Sequence, residues 1–371
     1  MYVAASNPEP MAGGNLTDRK VARWLLAGVL MVVIQIALGG ITRLTGSGLS
    51  ITEWDVVTGS LPPLNQSGWI AEFEKYKATP QYQLLNRDFS IGDFKFIFFW
   101  EWFHRLWARL LGLVFAVGFI FFLVKGSFRR QMIMPLIILF LLGGLQGFVG
   151  WIMVASGLVG DAVYVKPTRL ALHFVFALGL LSYTFWFYLK LTVRPTLVKA
   201  ASKIYPVVIV LLVLIVVQLL YGALMAGHKA ASAAATWPDI NGSVLQPAGL
   251  FKTGGGWLNF IDNKIMVHFV HRGAAYLILL GGIVLTFQLS KLVPQDKQLY
   301  KIRFLPLGVI ILQVLLGIFS VLSSTGIVPN HWGTFEWMAQ IHQLTGMALL
   351  LVLVYLFYLT KGGKMAALAA V

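Results

Sequence analysis

The chain has 371 residues, of which 58% are hydrophobic and only 12% charged, and its mean hydropathy is +0.78. This composition excludes an ordinary soluble domain and predicts an integral membrane protein. Because the chain contains no cysteine, disulfides, thiolate metal ligands and iron–sulfur clusters are excluded as well. The formal net charge of +15 suggests a nucleic-acid partner only until the positions of the charges are considered.

Eight apolar segments are long enough to cross a bilayer as helices, which takes about 20 residues each. Their approximate bounds are 21–42, 94–124, 132–155, 168–190, 204–226, 264–288, 303–323 and 336–360. The first segment starts after Lys20 and is too long to be the apolar region of a secretory signal peptide. The sequence therefore predicts an all-α membrane protein with eight transmembrane helices.

The basic residues indicate how these helices are oriented. With the N-terminus inside, every inner segment is basic, at residues 19–23, 125–130, 190–203, 291–303 and 361–364. The positive-inside rule then places both termini, residues 1–20 and 361–371, in the cytoplasm. The net charge reflects this topology and an attraction to anionic lipid, so no nucleic-acid partner is expected.

A long outer loop, residues 44–93, follows the first segment, and loops of this length are usually functional or disordered. Trp69, Ile70, Phe73 and Tyr76 form an apolar stripe at helical spacing. This stripe predicts a short amphipathic helix on the outer membrane surface. It would act either as a lid over a pocket or as a plain interfacial anchor.

Segment two carries four ionisable residues within nine positions: Glu101, His104, Arg105 and Arg109. Ionisable groups inside a membrane helix are costly and usually face the bundle interior or a cavity. Helical spacing places Glu101, His104 and Arg105 on one side of the helix. Taken alone, the stretch is equally consistent with a structural salt bridge and a histidine bonded to the backbone.

The same pattern recurs along the chain. A Gln-x-x-x-Gly motif occurs in segments one, three, five and seven, beginning at Gln35, Gln146, Gln218 and Gln313. A histidine occurs in segments two, four, six and eight: His104, His173, His271 and His342. A His-Arg doublet is found in segments two and six. This alternation predicts an internal duplication, with pseudo-symmetric four-helix bundles at 21–190 and 204–360 arranged as parallel repeats.

The four histidines lie at a common predicted depth of roughly 8–15 Å, given a rise of about 1.5 Å per residue. Two histidines facing each other in a four-helix bundle are suitable axial ligands for a haem iron. A non-haem metal would require carboxylates or thiolates nearby, which segments four, six and eight lack at this depth. Arg105 and Arg272 would then contact the haem propionates, with Arg43 and Arg109 as helpers.

The two halves differ next to the doublet, where Glu101 aligns with His268. A buried carboxylate beside a haem can relay protons, so the first half is predicted to carry out chemistry and the second to store or relay electrons. His268 is an alternative ligand, although the doublet favours His271. The two remaining histidines, His228 and His331, are expected to be solvated loop residues.

These motifs resemble those of the haem A synthase family, in its cysteine-free branch shared by mitochondrial and proteobacterial forms. The resemblance rests on the stretch from Gly39 to Ser50, on Glu101-x-x-His-Arg, and on Gly150–Gly157, His271–Tyr276 and Ala339–Gly346. It implies a cytoplasmic-membrane enzyme that takes part in cytochrome oxidase assembly. That enzyme oxidises a ring methyl of haem O to the formyl group of haem A by two hydroxylations and loss of water.

The resemblance also implies roles for individual residues. His104 and His173 would flank the substrate haem O, Glu101 would be needed for turnover, and His271 and His342 would ligate a haem b. A haem O-producing farnesyltransferase is an expected partner and a homo-oligomer is compatible with the sequence, which identifies no electron donor. Two other classes compete with this reading: a non-catalytic di-haem b cytochrome exchanging electrons with quinone, and a transporter. A transporter would concentrate its polar residues near the midplane.

Overall fold

The computed structural model describes residues 16–53, 61–252, 254–294 and 296–368. The helices are α1 (Leu16–Leu44), α2 (Gln66–Lys77), α3 (Pro80–Leu85), α4 (Ile91–Val124), α5 (Arg130–Ala155), α6 (Pro167–Thr192), α7 (Tyr205–Gly227), α8 (Asn259–Asp262), α9 (Lys264–Leu292), α10 (Lys297–Lys301), α11 (Leu305–Leu322) and α12 (Thr334–Leu368). In the described part of the chain, eight of them are long and apolar enough to cross a membrane: α1, α4, α5, α6, α7, α9, α11 and α12. This confirms the predicted class and the predicted number of crossings.

The helices of each half contact one another in a closed ring. In the first half, α1 packs against α4 and α6, and α5 packs against the same two helices. In the second half, α7 packs against α9 and α12, and α11 packs against the same two helices. The connectivity is therefore the same in both halves, as expected for duplicated four-helix units, while an exact symmetry relation between them stays a prediction.

The halves meet through α1 and α6 on one side and α7 and α12 on the other. The largest buried apolar cluster lies across this junction. It contains Val29 and Leu181 from the first half together with Leu211, Leu285 and Leu353 from the second. All five side chains are at most 4% exposed. The two halves therefore share one core.

Helix α4 is longer than a bilayer requires, because its first turns support the loop that precedes it. Ser90 caps the helix, with a capping box in which Asp93 accepts from the Ser90 backbone N–H. Phe94 then stacks on Phe73 and Tyr76 of α2, with ring centroids 5.0 and 5.4 Å apart. This burial raises the pKa of the Tyr76 hydroxyl to about 12.

The predicted helix at residues 69–76 is thus present as α2, but its apolar stripe is used differently from the expectation. Phe73 and Tyr76 are buried against α4, whereas Ile70 is 49% exposed. Protein packing, and not the membrane surface alone, holds this side of the helix. Neither of the two cavities described below is lined by α2, so the lid hypothesis gains no support.

Two predicted boundaries also differ from the structure. Helix α1 begins at Leu16, inside the predicted tail, of which residues 1–15 lie outside the described range. Helix α12 continues past residue 360 to Leu368. Its extension has a specific partner, because Gly362 and Gly363 pack directly beneath the backbone that links α6 to α7.

Replacing Gly363 with alanine is expected to destabilise the protein by about 1–3 kcal/mol, the usual effect of overpacking. A Cβ at position 363 would lie 2.7 Å from the carbonyl oxygen of Val198, a backbone atom that cannot move without shifting the linker. Thermal unfolding of the detergent-solubilised chain measures the change. Gly308→Ala in α11 is the matched control, since its Cβ would meet no atom within 4 Å. Equal melting temperatures for the two variants would contradict the prediction.

Candidate functional site

Each transmembrane histidine of the repeat packs against the glycine of a Gln-x-x-x-Gly motif on a neighbouring helix. A Cβ built on the glycine would lie within 3.4 Å of the imidazole ring in all four cases. These distances are 3.4 Å for Gly39 and His104, 2.8 Å for Gly150 and His173, 3.3 Å for Gly222 and His271, and 2.9 Å for Gly317 and His342. The glycines therefore allow the rings to approach the helix backbone, and all four rings are half-buried.

The glutamine of each motif contacts the same histidine from one turn earlier on its helix. In the first half the amide nitrogens of Gln35 and Gln146 donate to the backbone oxygens of His104 and His173, at 3.2 and 3.0 Å. In the second half the amide nitrogen of Gln218 lies 3.2 Å from His271 Nε2. The corresponding atom of Gln313 lies 3.4 Å from His342 Nε2. The repeated motif thus marks four equivalent seats for a histidine.

The second half brings its two histidines face to edge. The rings of His271 and His342 have centroids 6.2 Å apart and planes inclined by 73°. A separation of this size admits one metal atom between ring nitrogens with bonds of about 2 Å each. His342 Nδ1 donates to the backbone oxygen of Gln313 at 3.0 Å, which leaves Nε2 as the ring's lone-pair nitrogen. Such an Nδ1–H bond to a carbonyl is the usual orientation of a metal-binding histidine.

Several buried polar atoms beside the four histidines have no hydrogen-bond partner in the described residues. In the described residues, the side-chain oxygens of Gln35, Gln146, Gln218 and Gln313 are all buried without a hydrogen-bond partner, and so is His271 Nδ1. Buried polar atoms normally have partners, so a cluster of exceptions requires an explanation. The four glutamine oxygens recur at equivalent positions beside the histidines, and because they are acceptors they would be satisfied by a hydrogen-bond donor or a cation.

In the first half, Glu101 is the centre of a buried hydrogen-bond network. Its Oε2 accepts bonds from the Ser50 N–H at 2.8 Å, the Ser50 hydroxyl at 2.7 Å and the Ile51 N–H at 2.9 Å. Its Oε1 pairs with Arg105 at 2.5 Å, four residues along the helix. The carboxylate is only 2% exposed, and these contacts hold the chain that leaves α1 against α4.

The two arginines of the His-Arg doublets bind loop backbone in the same way. Arg105 donates to the carbonyl oxygens of Ile51 and Glu53, each at 3.1 Å. Arg272 donates to those of Ala234, Thr236 and Asp239, at 2.8, 2.9 and 2.7 Å. Both guanidinium groups therefore clamp the loop that precedes their helix. Their predicted contact with haem propionates stays a prediction, and the observed bonds give it no support.

His268 occupies in the second half the position that Glu101 occupies in the first half, and it also bonds to a loop. It is fully buried, and its Nε2 donates to the backbone oxygen of Ala230 at 2.7 Å. Glu101 accepts from loop N–H groups whereas His268 donates to a loop carbonyl, so the two residues hold the two loops with opposite polarity. This contact occupies Nε2 of His268, while its Nδ1 is buried without a partner in the described residues, so the alternative ligand role stays a prediction.

The remaining polar candidates, His228, His331 and Arg43, differ in how exposed they are and in their hydrogen-bond partners. His228 was expected to be solvated, but its side chain is only 12% exposed and its Nε2 donates to the carbonyl oxygen of Ile261 at 2.8 Å. His331 is exposed, as expected. Arg43, in the last turn of α1, has a buried Nε without an acceptor, so it is better suited than either doublet arginine to bind an anionic group.

Two cavities lie beside the clamps. One of about 220 Å³ is bordered by Ile51, Glu53, Arg105 and Trp151, and one of about 160 Å³ by Pro238, Phe269, Arg272 and Tyr276. Within the described residues, no group of three or more His, Cys, Asp or Glu side chains could hold a metal ion. The paired rings of His271 and His342, 6.2 Å apart, are a donor set that suits a metal which brings most of its own ligands.

Sequence reasoning identified the histidines and Glu101 but missed Ser50 and Ile51, which bind Glu101 through a side-chain hydroxyl and backbone N–H groups. Backbone donors leave no trace in a residue pattern. The motif glutamines were recognised as markers of the repeat, but their contact with the histidines was not. Their spacing, one turn before a glycine, was the available signal.

Comparison with known proteins identifies the family. Residues 22–354 match the family COX15-CtaA, described as cytochrome oxidase assembly protein. A protein named haem A synthase from Rhodospirillum centenum is 44% identical over 289 residues, which cover 76% of this chain and 75% of that protein. Its namesake from Paracoccus denitrificans is 41% identical over 308 residues, covering 81% and 80%. Another from Flavobacterium psychrophilum is 37% identical over 341 residues, covering 91% and 97%. The match spans nearly all the transmembrane helices and all four histidine seats, and the chain therefore belongs to the COX15-CtaA family of cytochrome oxidase assembly proteins.

Proposed function

We propose that the chain is a haem A synthase, a membrane oxidoreductase that converts haem O to haem A for cytochrome oxidase. The observation that carries the proposal is the pair of histidine sites, alike in their glycine seats but different at Glu101, which only the first half contains. Relatives with this name at 37–44% identity support it. Two identical sites would suffice for electron transfer. A carboxylate beside only one of the two sites favours a different task for that half.

The proposed reaction converts a ring methyl of haem O to a formyl group. Each of two successive hydroxylations replaces one C–H bond of the methyl carbon with C–OH and removes two electrons from that carbon, which an oxidant outside this chain accepts. The resulting carbon bears two hydroxyl groups and loses water to form the aldehyde. The haem groups supply the redox chemistry when they are bound. The protein binds them, excludes water from the reacting edge and fixes their orientation.

We assign the resident cofactor, haem b, to His271 and His342. Three observations support this fit: the 6.2 Å separation of the rings, the Nδ1–H bond of His342, and the unpartnered Nδ1 of His271. These contacts orient the rings of the second half through protein atoms alone. A preformed site of this kind suits a cofactor that stays bound.

We assign the substrate, haem O, to His104 and His173. In this half the amide of Gln35 binds the backbone of His104, and the ring of His104 is held chiefly by packing on Gly39. The amide of Gln146 contacts both the backbone oxygen and the ring Nδ1 of His173, at 3.0 and 3.2 Å, so the two histidines of this half are held differently. A less constrained ring suits a group that must enter and leave. Glu101 acts here as a positioning residue, since both its oxygens bind the Ser50–Ile51 turn or Arg105. Arg43 is the candidate partner for a propionate.

The relatives are bacterial, which supports placement in the cytoplasmic membrane. The basic inner segments support an orientation with both termini inside. Haem O is expected to arrive from a farnesyltransferase within the same bilayer, and association with a second copy is compatible with the lipid-facing helices.

Pigment analysis of the purified chain tests the proposal directly. The haems are extracted and identified by mass and by reduced-minus-oxidised spectra, with and without added haem O. We expect haem b together with haem O, a hydroxylated haem or haem A. Two equivalents of haem b alone, unchanged when haem O is supplied, would reject the enzyme and leave a di-haem electron-transfer cytochrome.

A further inference from the structure

The two histidine sites are connected through one pair of glycines in α1. Gly39 faces the first half, where its Cβ position lies 3.4 Å from His104 Nε2. Gly40 faces the second half, where its Cβ position lies 2.3 Å from Gln340 Oε1 and 2.8 Å from Gln343 Nε2. Adjacent residues of one helix therefore contact a histidine of one site and the residues that flank His342 in the other.

The two glutamines bind α1 through its backbone. Gln340 Nε2 donates to the carbonyl oxygen of Ala37 at 3.0 Å, and Gln343 Nε2 donates to that of Ile36 at 3.1 Å. These carbonyls lie four residues before Ile41 and Gly40, so they already accept the helical bonds of α1. Side-chain bonds to such carbonyls require close contact between the helices, and the missing side chain of Gly40 provides the space.

We propose that Gln340 and Gln343 are positioning residues that fix His342 relative to the first-half site through Gly39 and Gly40. His342 lies between them in sequence but points towards α11, where it packs on Gly317 and bonds to Gln313. Helix α12 is thus held on two sides, by α11 at the histidine and by α1 at the glutamines. The inference rests on the proposed function, because it concerns the residue assigned to haem b.

The geometry has a specific consequence across the two halves. An alanine at position 40 would displace the ends of two flexible side chains and no backbone, so the fold should survive. It would break bonds made by Gln340 and Gln343, which releases α12 from α1 beside His342. A substitution in a helix of the first half is therefore expected to disturb the haem site of the second.

The experiment uses the full chain with haem b as the ligand. The chain carries His104→Ala, so that the measured signal comes from haem bound at the second-half site. Adding Gly40→Ala is expected to shift the low-spin electron paramagnetic resonance signal and to weaken haem b binding about 10-fold, the lower end of effects seen when outer contacts of a metal ligand are lost. Gly112→Ala in α4 is the matched control, because no atom lies within 4 Å of its Cβ position. Size-exclusion profiles establish that each variant is folded.

Three outcomes of these measurements bear on the proposal and on the assignment of His342 as a ligand. A Gly40→Ala variant with the signal and affinity of the Gly112→Ala control would overturn the proposal. Should Gly40→Ala misfold, Gln343→Met, which adds little volume and removes the donor, decides in its place by the same two measurements. An unchanged haem signal in His342→Ala would instead reject the ligand assignment on which the inference rests.

Discussion

Glu101→Ala is expected to lower the rate of haem O oxidation by about 100-fold, the effect of a misplacement near 1 Å at a reaction site. The substitution removes the acceptor of three loop bonds and leaves Arg105 as a buried charge without its carboxylate. Breaking a buried ion pair from one side typically destabilises a protein by about 3–5 kcal/mol. Turnover with supplied haem O and thermal unfolding in detergent measure the two effects.

Two further variants separate positioning from proton transfer. Ser50→Ala removes one hydroxyl from the network and keeps the carboxylate, so a positioning role predicts a partial loss of rate. Glu101→Gln keeps the shape but turns an amide N–H₂ towards donors, so its effect should lie between those of the other two. Haem b content should stay constant in all three, since the second-half site is untouched. A full rate in Glu101→Ala would refute the role of this residue.

Gly317→Ala is expected to weaken haem b binding at least about 10-fold while leaving stability nearly unchanged. The new Cβ would lie 2.9 Å from His342 Cε1, so the ring must rotate away from its seat. The ring is a movable side chain, and alanine favours a helix over glycine by up to about 1 kcal/mol, so the fold should tolerate the change. Haem titration and thermal unfolding, measured on the same preparation, separate ligand geometry from folding.

The other seats provide a graded series. Gly222→Ala, with a distance of 3.3 Å to the ring of His271, should have the smaller effect within the second half. In the first half, Gly150→Ala at 2.8 Å should impair haem O binding more than Gly39→Ala at 3.4 Å. Gly308→Ala has no neighbour within 4 Å and should bind haem b normally. If Gly317→Ala binds haem b as tightly as Gly308→Ala, the seats have no role in ligand placement.

The eight membrane crossings could be predicted from the sequence because hydrophobic length is a local signal, whereas the orientation that the basic loops indicate stays a prediction. The eight crossings follow from the lengths of the apolar segments, and the alternation of Gln-x-x-x-Gly with histidine follows from the recurrence of the two motifs. The pairing of Glu101 with Arg105 follows from their spacing along one helix. The contact between Gly317 and His342 does not, because it depends on how two helices are rotated against each other. Periodicity shows that residues share a face but does not identify the helix they meet.

Other differences between the predicted and the observed structure arise where a residue contacts another part of the protein instead of solvent or lipid. The extension of α12 to Leu368 depends on Gly362 and Gly363 lying under the α6–α7 linker, which no propensity indicates. Ile70 matches the apolar stripe of α2, yet it is exposed because α4 covers only the Phe73 and Tyr76 side of that helix. His268 aligns with Glu101, but its loop carbonyl partner is 38 residues away in the sequence.

The contact of α12 with α1 has a consequence for folding. Helix α12 supplies Gln340 and Gln343 to the glycine pair beside His104. Until that helix has been inserted, Gly40 and the neighbouring face of α1 lack their protein neighbour. The face of α1 beside His104 is therefore completed by contacts that join residues 303 and 307 positions apart in the sequence, so the structure around the first-half histidine depends on the packing of the second half.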